Sequence, residues 1–424
     1  MKVAVVGGGS SYTPELADGL LDAAPRLGLR TLTLMDIDER RLAVLAGLVG
    51  RMAARRGQAV AVEATTHLAR ALDGARFVVN QVRVGGMEGR RLDELIPREF
   101  GLVGQETTGP GGFSYAMRSI PVALGIAREM AASCPDAWLL NFANPAGLVT
   151  EALVRFAGAK VVGLCNLPTI TRRALAEALG VPPDELVVDV AGLNHLTWIR
   201  GVRHGDRDLT GEAFRAVREQ PALAARLHAD PDAVDLLGAI PSPYLRYYHD
   251  PGRMYREQLQ DGRTRAELVQ QIERQLLAEY ARADLAAPPP LLATRGGAEY
   301  SRAAVALVRS LALDEPAVHV LNVAQHGELP DLPPGTVAEL PCRVDREGVR
   351  PLPVRSLEPQ FRGLLQHVKA YEELAVEAAR TGDHRAAERA LASHPLVPSL
   401  AVARDLWRRL HQAHAEHLPQ FVRR

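Results

Sequence analysis

The sequence has little that would commit it to a charged polymer or a membrane. Its 424 residues carry 50 Lys and Arg against 50 Asp and Glu, so the formal net charge is zero. No basic block breaks that balance, which gives no support for nucleic acid or an anionic membrane surface as partner. Apolar runs are short, and none reaches the roughly 20 residues needed to span a bilayer. Cysteine is scarce: Cys134, Cys165 and Cys342 are odd in number and far apart. That is no disulfide framework, and a reducing, cytoplasmic location is the expectation. The chain opens directly into a strand, MKVAVVGGG, without the longer apolar region and cleavage site of a signal peptide.

What is present is ordinary globular composition, 47% hydrophobic and 24% charged. It is long enough for two or three domains, or two interlocked lobes. The first half alternates strand and helix. Lys2 to Val6, Thr31 to Ile37, Ala59 to Val62, Phe77 to Val82, Ala137 to Phe142 and Lys160 to Leu164 are apolar and β-rich. Helical segments separate most of them, the first with Thr13 as expected N-cap and Pro14 at the first helical position. Such alternation implies an α/β fold with a parallel, doubly wound sheet. Near residue 186 the pattern changes. Leu186 to Ile199 reads as one strand entering a different sheet. Residues 210 to 280 read as helices broken by Pro241 and Pro243, the APPPL run near 286–290 as a stiff connector, and the last seventy residues as helical. The expected division is 1–185, a Rossmann-like domain, and 186–424, a mixed α+β lobe.

VAVVGGGSSYTPEL lies between a strand and a helix, the setting of a phosphate-binding glycine loop. Gly7 permits the turn, Gly9 lets backbone approach a pyrophosphate, and the helix N-terminus is expected to offer N–H groups. Tyr12 stands where the third glycine of G-x-G-x-x-G belongs. Asp36 ends the second strand, where an acid bonds ribose hydroxyls and repels a 2′-phosphate, which favours NAD. Gly7, Gly8, Gly9, Ser10, Ser11 and Asp36 are therefore the expected cofactor-binding residues.

A second cluster lies at other strand ends. Cys165 and Asn166 close GLCNLP, Asn144 closes NFANP, and His195 stands in GLNHL. Taken singly, Cys165 and His195 read as ordinary buried residues. Together they make an incomplete structural metal site but a plausible open one, with water and substrate oxygens in the other positions. The glycine-rich stretch GLVGQETTGPGGFSYAMR, 101 to 118, reads as a loop that shapes a site. PSPYLRYY clusters Tyr244, Tyr247 and Tyr248, among which physics alone does not choose.

These motifs, with LMDIDE, TRGGAEYS and ELPC in one order along the chain, resemble glycoside hydrolase family 4, the NAD- and divalent-metal-dependent glycosidases. That family is an exception to two-carboxylate glycoside hydrolysis. Its fold resembles the lactate and malate dehydrogenases. Asn166 resembles the 6-phospho-β-glucosidase branch, since α-acting members carry aspartate after the metal cysteine. The resemblance implies Cys165 and His195 as ligands of a metal, most often Mn²⁺, and Tyr244 as the catalytic base. It implies Glu106 as the acid that makes the tyrosine more basic, and Arg90, Asn144, Asn166 and Arg265 as substrate-binding residues, the arginines near a 6-phosphate. The reaction implied is hydrolysis of 6-phospho-β-glucosides to glucose 6-phosphate and an aglycone, through C3 oxidation by NAD, C1–C2 elimination, water addition and re-reduction. A homodimer or homotetramer is implied as well. The alternatives are a 2-hydroxyacid-type dehydrogenase, which needs no metal and uses histidine in a G-x-H-G setting, and a non-catalytic NAD-binding protein.

Overall fold

The computed structural model describes residues 1–295 and 299–422, so Gly296, Gly297 and Ala298 of TRGGAEYS lie outside the described residues. Six short strands form the parallel part of the sheet: β1 (Lys2–Val6), β2 (Thr31–Met35), β3 (Ala61–Thr65), β4 (Phe77–Asn80), β5 (Trp138–Asn141) and β6 (Lys160–Gly163). They lie in the order β3-β2-β1-β4-β5-β6, the doubly wound arrangement expected. Side chains alternate between the two faces. Ala4, Val6, Val78 and Leu139 join the core built on helices Gly109–Ser133, Ala146–Ala157 and Pro359–Thr381. Val3, Val5, Val79 and Leu140 join the core built on Thr13–Leu27 and Tyr300–Ala312. Burial on both faces is why these strands read as unbroken apolar runs.

The second half does not start a different sheet. Its strands are β7 (Leu186–Leu193), β8 (Leu196–His204), β9 (Arg207–Asp208), β10 (Ile240–Pro241), β11 (Ala317–Ala324), β12 (Val337–Asp345) and β13 (Gly348–Pro351). They extend the same sheet from β6 through β11, β12, β7 and β8 to β10. The segment read as one strand, Leu186 to Ile199, is most of an antiparallel hairpin turning at Asn194 and His195. Polar residues at a two-residue turn had been hidden inside an otherwise alternating pattern.

Two local expectations also change. Thr13 is the first helical residue and Tyr12 the N-cap. The Thr13 hydroxyl donates to the Gly8 carbonyl (2.9 Å) and accepts from Gln81 Nε2 (2.8 Å), so it braces the loop rather than capping the helix. The glycine-rich half of 101–118 is no loop, because the helix begins at Gly109. Gly111 is needed there: a Cβ would sit 2.3 Å from the Gln105 carbonyl oxygen. That close approach presses residues 105–108 against the helix start.

The last helices return to the first half of the chain. Asp93, on helix Gly86–Glu99, takes both Nη1 (2.9 Å) and Nη2 (2.6 Å) of buried Arg118, and His414 Nε2 lies 3.2 Å from the same carboxylate. Removing one partner would leave an uncompensated buried charge. Asp93→Ala is expected to lower unfolding free energy by about 3–5 kcal/mol. Urea denaturation checks this, and a loss under about 1 kcal/mol would show the guanidinium to be solvated or paired elsewhere.

Candidate active site

A single cavity of about 1140 Å³ runs across the carboxyl ends of the parallel strands. Such crevices are where doubly wound sheets bind ligands. It is lined by Gly7, Gly9, Ser10 and Asp36 at one end, and by Asn144, Asn166, His195 and Tyr244 further along, with Arg90, Glu106 and Arg265. Residues from distant parts of the sequence are thus brought together.

The glycine loop is tightly braced. The Gly7 and Gly8 N–H groups donate to the Met35 carbonyl (2.9 and 2.7 Å), and Ser10 N–H to the Gly7 carbonyl (3.0 Å). Asp36 accepts from Gly9 N–H (2.8 Å) and Asp38 N–H (3.0 Å), which holds the carboxylate at the cavity edge. Gly9 has no room for a side chain, as a Cβ would lie 2.8 Å from Asp36 Oδ2. Several N–H groups expected to face an anion are therefore used inside the protein. Gly8 packs on Leu34 and Ser11 donates to Glu273 (2.8 Å), so neither is part of the cavity lining. Arg41, not anticipated, donates from Nε to the Gly9 carbonyl (3.0 Å) and lines the cavity beside Asp36.

At the other end, the His195 and Tyr244 rings stack with centroids 3.8 Å apart and planes within 6°. His195 has φ +65°, the left-handed region, which costs a side-chain-bearing residue about 1–2 kcal/mol. The hairpin register holds it there, and strain of this kind is commonest at functional sites. Burial holds the His195 imidazole down at about 4, with Glu106 opposing, so the ring is neutral near pH 7. The Thr107 hydroxyl donates to Gln105 Oε1 (2.9 Å) and lies 3.1 Å from His195 Nδ1. With its proton so used, Thr107 accepts from Nδ1–H, which leaves Nε2 as the lone-pair nitrogen.

Cys165 is fully buried just behind the cavity wall. Burial pushes its thiol up, and Glu339 adds to this. Burial likewise raises the Tyr244 phenol, with Tyr247, Glu106 and Cys165 adding and Arg90 opposing. Tyr300, also lining the cavity, is raised by burial, Cys165 and Tyr244. Here, then, is a pocket of acids each of whose anions is disfavoured by burial and by the others. A divalent cation would relieve that penalty. A thiol and a neutral imidazole are suitable donors for one, and no larger grouping of His, Cys, Asp and Glu that could hold a metal occurs among the described residues. The pair fits an open centre, with its other positions left to water or substrate oxygens.

Glu106 does not stand alone. Its carboxylate is clamped by Arg83 on one oxygen and Arg90 Nη1 (3.1 Å) on the other. Burial pushes the carboxyl up, but the two arginines prevail and hold it below its usual value. Arg83 was not singled out in the sequence, although it follows a strand end as Asn144 and Cys165 do. Arg90 Nε also donates to Glu94 (2.7 Å), whose other oxygen accepts from Ala266 N–H (2.9 Å). Glu94 so ties Arg90 to the start of the helix carrying Arg265. Arg265 lines the cavity with Nη2 on the Arg295 carbonyl (3.0 Å). Asn144 ends its loop at a cis peptide to Pro145.

A dinucleotide-type loop and a histidine stacked on a tyrosine in one crevice, with a thiol just behind its wall, suit an enzyme site on a dehydrogenase-like fold. Residues 2–181 match the family 4 glycosyl hydrolase model and 190–397 match the C-terminal domain of the same family. The chain belongs to glycosyl hydrolase family 4. It is 39% identical, over 99% of its length and 98% of the relative, to a probable 6-phospho-β-glucosidase of Bacillus subtilis. The 6-phospho-β-glucosidase of Thermotoga maritima, solved with manganese, NAD⁺ and glucose-6-phosphate, superimposes with a TM-score of 0.91 at 34% identity, covering 98% of this chain and 99% of that one. Malate dehydrogenase of Plasmodium falciparum shares the fold at 13% identity, with a TM-score of 0.58 over 90% of this chain and 98% of that one. Among the described residues no helix is long and apolar enough to cross a membrane.

The depressed His195 value has a consequence in metal-free protein. A folded-state value below the unfolded one gives stability that is complete above about pH 6.5 and lost as the pH falls towards 4. Urea midpoints measured down that range should fall more steeply for wild type than for His195→Gln. Equal slopes would mean that the imidazole is solvated.

Proposed function

We propose that this chain hydrolyses 6-phospho-β-glucosides, releasing glucose 6-phosphate and an aglycone. The observation that carries this reading is the stack of Tyr244 on His195, within electrostatic reach of Cys165 and in the same cavity as the glycine loop and Glu106. Residues 1–185 would hold the dinucleotide and 186–424 most of the substrate- and metal-binding groups, in a homodimer or homotetramer. Gly7, Gly9, Ser10 and Asp36 would contact NAD, with Asp36 on the ribose hydroxyls. Cys165 and His195 Nε2 would hold the divalent ion, Mn²⁺ being the metal with which the Thermotoga enzyme was solved.

When bound, NAD would supply the temporary oxidation at C3 that acidifies the C2 proton, and the metal would supply a Lewis acid to the sugar. The chain's own residues do the rest. Tyr244 takes the C2 proton, the aglycone leaves from C1, water adds, and Tyr244 returns the proton. Glu106 strengthens the phenolate as a base, while Arg83 and Arg90 keep Glu106 ionised. Asn144 and Asn166 hydrogen-bond the sugar. Asn166 has no proton to give a leaving group, in keeping with a β-linked substrate. Arg265, with the remaining donors of Arg90, would take the 6-phosphate through charge-assisted bonds worth roughly 1.5–3 kcal/mol each.

The test is release of p-nitrophenol from the α- and β-glucosides, with and without the 6-phosphate, NAD⁺ and Mn²⁺. The β-linked phosphorylated substrate should be hydrolysed, and only with both additions. Arg265→Leu should lower kcat/KM about 10- to 100-fold for it, mostly through KM. Equal efficiency on the non-phosphorylated glucoside would point to another sugar class. Tyr244→Phe should lose most turnover and keep NAD affinity, whereas Tyr247→Phe should stay active. An active Tyr244→Phe enzyme would remove the base from this scheme.

A further inference from the structure

We propose that Glu339, the acid of ELPC, is the positioning residue that fixes Cys165 and His195 relative to each other. The proposal rests on the reading that those two side chains hold the metal.

The argument starts from the sheet. Where its parallel and antiparallel parts meet, the ladders narrow to single register positions: Asn322 on β11 lies opposite Gly163 on β6, and Glu339 on β12 opposite Gly192 on β7. Asn322 and Glu339 face each other between them. Gly163 ends the strand that delivers Cys165, and Gly192 lies near the end of the strand that delivers His195. Glu339 therefore stands in the seam between the two strand ends.

Its contacts lie beside both donors. Glu339 Oε1 accepts from Asn194 Nδ2 and from Asn322 Nδ2, each at 3.0 Å. Asn194 precedes His195, whose backbone is left-handed, and its side-chain amide lies close enough to the Cys165 thiol to act on it electrostatically. One carboxylate oxygen thus holds the amide that lies near one donor and shares a turn with the other. A neutral carbonyl could satisfy two amides at less cost than a buried carboxylate. The deep pair Glu151 and Glu372 shares Lys369, but among the described residues no Lys, Arg or His ion-pairs with Glu339. A divalent cation beside Cys165 would supply the missing countercharge. Carboxylates set one shell behind metal ligands commonly orient them in this way.

The experiment is a Mn²⁺ titration followed by electron paramagnetic resonance, with saturating NAD⁺, beside a separate measurement of NAD⁺ affinity. Glu339→Leu keeps bulk and removes the acceptor. It should weaken Mn²⁺ binding about 10- to 100-fold and leave NAD⁺ affinity unchanged. Glu339→Gln keeps an acceptor without charge and should weaken it several-fold less than the leucine variant. Adding Asn194→Ala to Glu339→Leu should cost no more than Glu339→Leu alone, because both break one chain of contacts. If the leucine variant does not fold, the glutamine variant decides, and Mn²⁺ affinity within twofold of wild type overturns the proposal. Cys165→Ser separates the two readings. If it binds Mn²⁺ as tightly as wild type, the metal pair itself falls and this proposal with it. If it binds weakly while the Glu339 variants bind normally, only the role of Glu339 is refuted.

Discussion

Gathering a thiol, two phenols and a carboxylate beneath the surface makes each of their anions costly. Cys165 and Glu339 are buried, Tyr244 and Tyr300 partly so, and each is displaced towards its protonated form. Burial and the two asparagine amides leave the Glu339 carboxyl at about 7, with burial the stronger. Water cannot screen these groups, so only a cation placed among them can make a tyrosine basic near neutral pH. A metal beside Cys165, a phenol serving as base and the nearby arginines would all answer this one electrostatic constraint in the proposed scheme.

The fold meets that constraint by delivering side chains from strand ends. β6 and β7 belong to different halves of the chain, yet β11 and β12 join them into one sheet. That continuity places His195 in the crevice and Cys165 just behind its wall, on opposite sides of the seam. The short stretch 105–107 closes over them, pressed down by a helix start at which Gly111 has no room for a Cβ. It brings Glu106 to its two arginines and Thr107 to His195 together, so adjacent residues act on the Tyr244 phenol and the imidazole tautomer.

Much of this was legible in the sequence. The parallel half was, because strands buried on both faces leave apolar runs separated by helix signals. The strand-end residues Asn144, Cys165 and Asp36 were, because polar groups that end such runs are conspicuous. The hairpin at Asn194–His195 was not, since apolar residues resume directly after the turn and neither of its two residues is a glycine or proline. The joined sheet was not, because two single-position contacts carry the connection and pairing of that kind leaves no periodicity. Arg83, Arg41 and Thr107 escaped notice because their roles depend on partners distant in sequence. Ser11 shows the converse. It lies in the glycine-loop motif, but its hydroxyl turns to Glu273 on a helix from the other half of the chain.

The central claim is that Tyr244 removes the proton at C2 of the sugar and later returns one. Its most direct test is hydrolysis of the 6-phospho-β-glucoside by wild-type enzyme in D₂O, with the released glucose 6-phosphate examined by proton NMR. A tyrosine proton exchanges with solvent between removal and return, so the account predicts deuterium at C2. An ordinary two-carboxylate hydrolase never touches that proton. Product formed at full rate with hydrogen retained at C2 would contradict the account.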